Sequence, residues 1–234
     1  MNKAAIIMVA PQMGENIGAA ARIMKNFGFD DLRIVAPRDG WPNKKAESMA
    51  VGAVDLLKSA VIYTSLVEAV ADLQHLYSTT ALPRDMNKAY VSSKELAEKY
   101  PYPFKVGIMF GRENCGLRND EIALANEIIT INTSEFSSLN IAQAIAIVCY
   151  EISKCSAKSS FANTQKLASK EEIILFLNHL ENELDINGFF KVAEKKPQML
   201  RNITNIFTRI DKISTSEIQS LRGIISSFKK TEDK

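Results

Sequence analysis

The chain is poor in the residues from which many active sites are built. Its 234 residues include two histidines, His75 and His179, and three cysteines, Cys115, Cys149 and Cys155, with no Cys-x-x-Cys pair. A disulfide framework, a zinc ribbon and a histidine-rich metal centre are therefore unsupported, and a Ser-His-Asp triad has almost no material. Reduced thiols and no metal are the expectation. No apolar run approaches the roughly 20 residues a membrane helix needs. Met1 to Val9 lack a small-residue cleavage site and pass almost at once into a strand pattern, so a cytoplasmic protein without a targeting segment is expected. Charge of one sign is also scarce: 29 Lys and Arg against 27 Asp and Glu leave +2, which permits a nucleic-acid partner without demanding one. The lysine pairs at Lys44, Lys195 and Lys229 are too short for a basic tail and read as solvated surface. Both the Gly-x-Gly-x-x-Gly dinucleotide fingerprint and the lysine-bearing triphosphate loop are missing.

What is present is an alternation. Short apolar runs at Ala5 to Val9, Leu32 to Val35, Val61 to Tyr63, Leu76 to Thr79, Val106 to Phe110 and Ile128 to Ile131 are separated by helical patterns. That order predicts an α/β fold, a mostly parallel sheet with helices on both faces. Ile17 to Phe27 reads as a helix capped by Asn16 and closed by Gly28; Leu66 to Leu73 and Lys94 to Lys99 are shorter, and Leu139 to Ser153 is long, strongly apolar and expected to be buried. From Lys154 the composition turns to Lys, Ser, Ala, Asn, Thr and Gln, which builds no core. A boundary is expected there, giving a domain at 1–155, a linker at 156–170 and a helical extension at 171–234. Apolar residues in the extension recur at helical spacing in Ile173 to Leu184, Met199 to Ile210 and Ile218 to Phe228, so a small helical bundle is expected.

Polar chemistry gathers just after three of the apolar runs. Phe110 to Leu117, Phe-Gly-Arg-Glu-Asn-Cys-Gly-Leu, offers two glycines that let a ligand approach the main chain, where an α/β sheet places its ligands. Alone this is a common turn. Asn16 to Arg22, Asn-Ile-Gly-Ala-Ala-Ala-Arg, combines a face nearly bare of side chain with an arginine that is either a surface residue or a guanidinium aimed at a phosphate. In Ser137 to Asn140, the serines and Asn140 suit either a helix cap or a ligand, and the two roles are compatible.

Together, in this order, the three segments resemble the motifs of the SpoU/TrmH (SPOUT) superfamily of S-adenosylmethionine-dependent RNA 2′-O-methyltransferases, most nearly its TrmJ branch. Thr79 to Asp85, Thr-Thr-Ala-Leu-Pro-Arg-Asp, looks like that branch's cofactor-side strand end. The resemblance covers roughly residues 4 to 155, with a less specific likeness in the helical tail. It implies a trefoil-knotted fold, a homodimer whose active site uses both subunits, S-adenosyl-L-methionine as methyl donor and tRNA as substrate. The implied target is a cytidine or uridine on the 5′ side of the anticodon loop (tRNA position 32). The implied donor site comprises Thr79, Thr80, Gly111, Arg112, Glu113, Gly116, Ile131, Ser138 and Leu139. Arg22, supplied by the second subunit, is implied to face the target ribose, with Asn16, Ser138 and Asn140 orienting it and Glu113 fixing the loop. A guanidinium stays protonated and is a poor base, so Arg22 is expected to grip a phosphate and stabilise the developing alkoxide. Arg22, Arg38, Lys44, Arg84, Lys88 and Phe136 are the expected RNA contacts, supported by Lys25 and Lys45 and, in the tail, by Lys195, Lys196, Arg201 and Arg209. Two positions depart from the pattern: Asn132 stands where many relatives have proline, and Phe136 where TrmJ-like proteins often carry tyrosine. The phenyl ring stacks but cannot hydrogen-bond. Ribosomal RNA methylation and a non-catalytic RNA-binding protein of the same fold remain as alternative readings.

Overall fold

The computed structural model describes residues 4–81, 86–155, 166–210 and 212–228. Seven strands form one sheet in which every pairing is parallel: β1 (Ala5–Val9), β2 (Leu32–Val35), β3 (Val61–Tyr63), β4 (His75–Thr79), β5 (Ala89–Ser92), β6 (Val106–Phe110) and β7 (Glu127–Thr130), in the order β3-β2-β1-β6-β4-β7-β5. The expected α/β class with a parallel sheet is the observed one.

Burial on both faces explains why β1 and β6 are continuous apolar runs. In β1, Ile6 and Met8 enter one core and Ala5, Ile7 and Val9 the other, as the two-residue period of a strand requires. Helices α1 (Gly14–Asn26), α2 (Lys44–Met49), α3 (Val54–Ser59), α5 (Ser93–Glu98) and α7 (Ile141–Ser153) cover the first face; α4 (Leu66–Val70) and α6 (Asn119–Ala123) cover the second. Ile6, Ile7 and Met8 are wholly buried, and each such side chain stabilises the fold by roughly 1.5–3 kcal/mol.

The chain runs outward through β2 and β3, returns to β4, and then sends β6 and β7 to either side of β4. This reversal opens a crevice beyond the carboxyl ends of β4, β6 and β7, where an open α/β sheet takes its ligand. The helix α7 is apolar but only one face of it is covered; Tyr150 is half exposed.

Some local expectations are corrected. The first helix begins at Gly14, so Asn16 lies inside its first turn and is not its cap; Met13 holds the cap position and makes no side-chain cap bond. Gly28, at φ +70°, does close that helix, and Phe29 N–H returns to Met24 O at 2.8 Å. Strand β5 and helices α2, α3 and α6 were not anticipated. Helix α2 is started by Asn43, whose Oδ1 accepts from Lys45 N and Ala46 N at 3.0 and 3.2 Å.

Beyond residue 165 come α8 (Lys170–Ile186), α9 (Lys196–Thr208) and α10 (Thr215–Phe228), with a core of their own that includes Ile173, Phe176, Ile213 and Ile218. They also hydrogen-bond to the sheet unit. Lys170 N–H donates to Leu73 O at 2.7 Å, and Asn126 Nδ2 donates to Thr208 O at 2.9 Å. Residues 156–165 of the expected linker lie outside the described residues. No described helix is long and apolar enough to cross a membrane.

Candidate active site

A cavity of about 330 Å³ lies at the carboxyl ends of β4, β6 and β7. Its walls are the end of β4 at Thr79 to Ala81, the loop after β6 and the loop leading into α7. The anticipated donor-site residues Thr79, Thr80, Gly111, Arg112, Glu113, Gly116, Ile131, Ser138 and Leu139 all line it.

The loop after β6 is closed on itself. Arg112 N donates to Gly116 O at 3.2 Å and Gly116 N to Arg112 O at 2.9 Å. Gly116 sits at φ +67°, a conformation that favours glycine. A Cβ on Gly111 would stand 2.2 Å from Gly116 C and Leu117 N, so no other residue fits there without moving the loop. Arg112 lines the cavity, but its guanidinium faces the protein. It donates to both carboxylate oxygens of Glu121 at 2.9 and 2.8 Å, and Glu121 also accepts from Arg118 N at 2.6 Å. Glu121 thus fastens the loop to the first turn of α6. An acid-rich first turn, Asp120 and Glu121 after Asn119, was the sequence signal for this helix.

The three polar segments meet in one hydrogen-bond chain. Glu113 accepts from Gln12 N at 2.8 Å, Met13 N at 3.3 Å and Asn16 Nδ2 at 2.8 Å. Asn16 Oδ1 accepts from Asn140 Nδ2 at 3.0 Å, and Asn140 Oδ1 accepts from Ala142 N at 2.8 Å, capping α7. Every polarity follows from the first: a carboxylate only accepts, so Asn16 must turn its amide nitrogen toward Glu113 and its oxygen toward Asn140. The negative charge also lies against the amino end of α1, where the helix dipole favours it. The start of α1 is therefore specified by a glutamate about a hundred residues away, which is why Asn16 is bound across the fold and does not cap its own helix.

Other anticipated residues are distributed as follows. Arg22 is exposed on α1 and is not among the residues around this cavity. Asn16 is joined directly to Glu113, and Asn140 to Asn16. Ser138 is exposed at the cavity, while the Thr79 hydroxyl donates to Met109 O at 2.9 Å and so ties β4 to β6. Phe136 is 78% exposed, and Arg38 and Lys44 lie on the surface, Arg38 paired with Asp39 at 2.9 Å. Arg84 lies outside the described residues. Lys88 is a correction: it is buried, and its Nζ donates to Ala123 O at 3.0 Å, Ala125 O at 2.6 Å and Thr208 Oγ1 at 2.9 Å. Burial, with the nearby Arg209 charge adding to it, pushes its pKa down to about 7. It cannot also hold a phosphate. Several supporting cations are paired too: Lys25 with Asp55, Lys45 with Glu15, Lys196 with Glu181 and Asp185, and Arg201 with Asp120.

The cavity suits a ligand with a flat apolar part and a polar remainder. Phe110, Leu117, Ile129, Ile131, Leu139, Ile141 and Ala144 supply apolar wall, and Thr80, Glu113 and Ser138 supply polar edge. An adenosine bearing a charged amino-acid chain matches that division, so the residues present fit the anticipated methyl donor. Among the described residues, no group of three or more His, Cys, Asp or Glu is placed to hold a metal ion.

Comparison with known proteins gives concordant matches. A family model described as the SpoU rRNA Methylase family matches residues 3–150. The tRNA (cytidine-2′-O-)-methyltransferase TrmJ of Methanocaldococcus jannaschii is 34% identical over 230 residues, which is 96% of this chain and 97% of that protein. The crystal structure of TrmJ from Z. mobilis ZM4 superposes with a TM-score of 0.90 at 43% identity, covering 97% of this chain and 100% of that one. In fold alone, the chain is also similar to the SpoU methyltransferase AviRb from Streptomyces viridochromogenes in complex with AdoMet, with a TM-score of 0.52 at 20% identity over 64% of this chain and 59% of that one.

Proposed function

The chain belongs to the SpoU rRNA methylase family, and from that premise we propose that it transfers a methyl group from S-adenosylmethionine to a ribose 2′-hydroxyl of tRNA. It is a methyltransferase, and S-adenosylmethionine is its methyl donor. The observation that carries the reading is the Glu113–Asn16–Asn140 chain, which joins the three polar loops beside the 330 Å³ cavity. tRNA is favoured over ribosomal RNA because relatives named for tRNA match nearly the whole chain, helical tail included.

When bound, the donor supplies a sulfonium methyl already activated for displacement. What remains for the protein is to align the hydroxyl, exclude water and ease loss of one proton. Gly111, Gly116 and Leu139 hold the donor against the apolar wall, and Glu113 keeps the loop after β6 docked on the start of α1. Ser138, exposed at the cavity, is within the same loop system and orients the incoming ribose. Arg22, from the second subunit of a homodimer, grips the adjacent phosphate and stabilises charge developing on the 2′-oxygen, a role its planar fork of donors suits. Phe136 stacks on an unpaired base, and Arg38 and Lys44 contact phosphates. The target is a pyrimidine on the 5′ side of the anticodon loop, reached in the cytoplasm. Residues 1–155 carry the chemistry and residues 171–234 form the helical extension.

Methyl transfer from labelled donor into unmodified tRNA tests the reaction, and mixing two impaired variants tests the shared site. Arg22→Ala and Glu113→Gln chains, each strongly impaired alone at subsaturating donor, recover about a quarter of wild-type activity when mixed, since half the dimers are hybrids with one intact site of two. No recovery, with exchange of subunits demonstrated, removes the second subunit from the site.

A further inference from the structure

Helix α6 is held at both ends by residues outside its own region. At its start, Glu121 binds Arg112 of the donor loop. Its last carbonyls, which a helix leaves without partners of its own, are taken up by residues that include two from the C-terminal helices. Lys170, the first residue of α8, donates from Nζ to Leu124 O at 3.0 Å. Thr208, the last residue of α9, has Oγ1 2.8 Å from Ala123 O, a proton it shares with Thr204 O at 2.9 Å, and it accepts from Lys88. Lys170 and Thr208 are both essentially inaccessible, 1% exposed each. On the outside of α6, Arg201 of α9 pairs with Asp120 at 2.7 Å. Beside these polar contacts, the seam between α4, α8 and α9 still encloses a cavity of about 190 Å³ lined by Val67, Leu177 and Leu200.

We infer that α8 and α9 position the methyl-donor loop: Lys170 and Thr208 hold α6 by its carboxyl end, and α6 holds the Arg112–Gly116 loop through Glu121. Thr208, Lys170 and Arg201 are positioning residues, since none of them lines the donor cavity. The inference rests on the donor reading of that cavity and adds a task for the tail separate from gripping RNA. A tail that serves RNA alone changes RNA affinity when loosened; a tail that braces α6 changes donor affinity.

The test uses the full chain carrying Thr208→Val, which keeps the side-chain shape and removes the hydroxyl, and Thr208→Ser, which restores it. S-adenosylhomocysteine affinity is measured by calorimetry, tRNA affinity by filter binding, and exchange of the Arg112 and Gly116 amides by mass spectrometry. Loss of the hydroxyl, with its proton shared between Ala123 O and Thr204 O and the bond it accepts from Lys88, weakens donor binding about fivefold in Thr208→Val, speeds exchange in the donor loop, leaves tRNA affinity within about twofold, and is rescued in Thr208→Ser. Unchanged donor affinity in folded Thr208→Val overturns the inference, as does an equal loss of tRNA affinity. If Thr208→Val does not fold, Arg201→Gln decides: it removes only an exposed pair, and a smaller loss of donor affinity supports the inference while none overturns it. Failure of the wild-type chain to bind S-adenosylhomocysteine overturns the donor reading itself, a result distinct from an intact wild type with indifferent variants.

Discussion

Replacing Glu113 by glutamine keeps the size of the side chain and changes one oxygen to an amide nitrogen. In the wild type, one carboxylate oxygen accepts from Gln12 N at 2.8 Å, and the other accepts from Met13 N at 3.3 Å and Asn16 Nδ2 at 2.8 Å. Glutamine keeps at most one of these acceptors, so at least one N–H then faces a donor, and the remaining bonds lose the help of a full charge. A hydrogen bond to a charged group contributes about 1.5–3 kcal/mol, and stranding its partner costs a similar amount. Part of this is recovered by water, because the site is only partly buried. The net loss of about 2 kcal/mol corresponds to about a thirtyfold fall in kcat/KM for the methyl donor. Since the loop undocks locally, the midpoint of thermal unfolding moves far less than activity does. Steady-state kinetics with the donor varied, alongside a thermal melt, measures both. A double-mutant cycle with Asn140→Ala then reads the coupling through Asn16, expected at about 0.5–3 kcal/mol for members of one network. Donor kcat/KM within twofold of wild type in Glu113→Gln refutes the proposed role of the hydrogen-bond chain; additivity in the cycle refutes coupling through it.

Other perturbations probe neighbouring parts of the fold. Gly111→Ala drives a methyl group to within 2.2 Å of backbone atoms of the loop and lowers donor affinity at least about tenfold, whereas Gly223→Ala in α10 meets nothing and raises stability by about 0.5–1 kcal/mol; a calorimetric titration and a urea melt distinguish them, and an indifferent Gly111→Ala contradicts the geometry. Cys115 is the exposed thiol of the three and lines the cavity, so its alkylation slows when S-adenosylhomocysteine is added; an unchanged rate puts the ligand elsewhere. Burial, aided by repulsion between them, lowers the pKa of Lys170 to about 7, and burial does the same for Lys88. Between that value and the unfolded value of about 10.4, the unfolded chain binds more protons than the native one, so these groups make stability rise with pH, by up to about 1.4 kcal/mol per pH unit for each lysine. Urea melts from pH 7 to 9 show the rise, and Lys170→Met flattens it; an equal slope in the variant contradicts the assignment.

The parts of this fold that could be read from sequence are those where one physical requirement dominates. Strands buried on both faces are mostly apolar, so β1 and β6 stand out as unbroken runs and β2 and β7 as shorter ones interrupted by Arg33 or flanked by Glu127 and Thr130, and the loops after β1, β6 and β7 follow from them. Strand β5, Ala-Tyr-Val-Ser at the sheet edge, is half exposed and has no such run. Helices α2, α3 and α6 have five or six residues each, too few to show an amphipathic period, and their starts depend on side chains such as Asn43 and Glu121. The residues of the candidate site were legible as a set, because polar residues at three strand ends are unusual together. Their individual contacts were not. Asn16 looks like a helix cap until Glu113 is brought to it from the end of the neighbouring strand β6, and Lys88 looks like a phosphate contact until α6 and α9 close over its amino group. In both cases the deciding partner is distant in sequence, and spacing carries no trace of it.

The most direct measurement is mass-spectrometric mapping of unmodified tRNA after incubation with the purified chain and isotopically labelled S-adenosylmethionine. A labelled methyl group on the ribose of one pyrimidine in the anticodon loop, strongly reduced in Arg22→Lys because the planar fork is lost, is the expected result. Label on a base, or none in any RNA supplied, contradicts 2′-O-methylation by this protein.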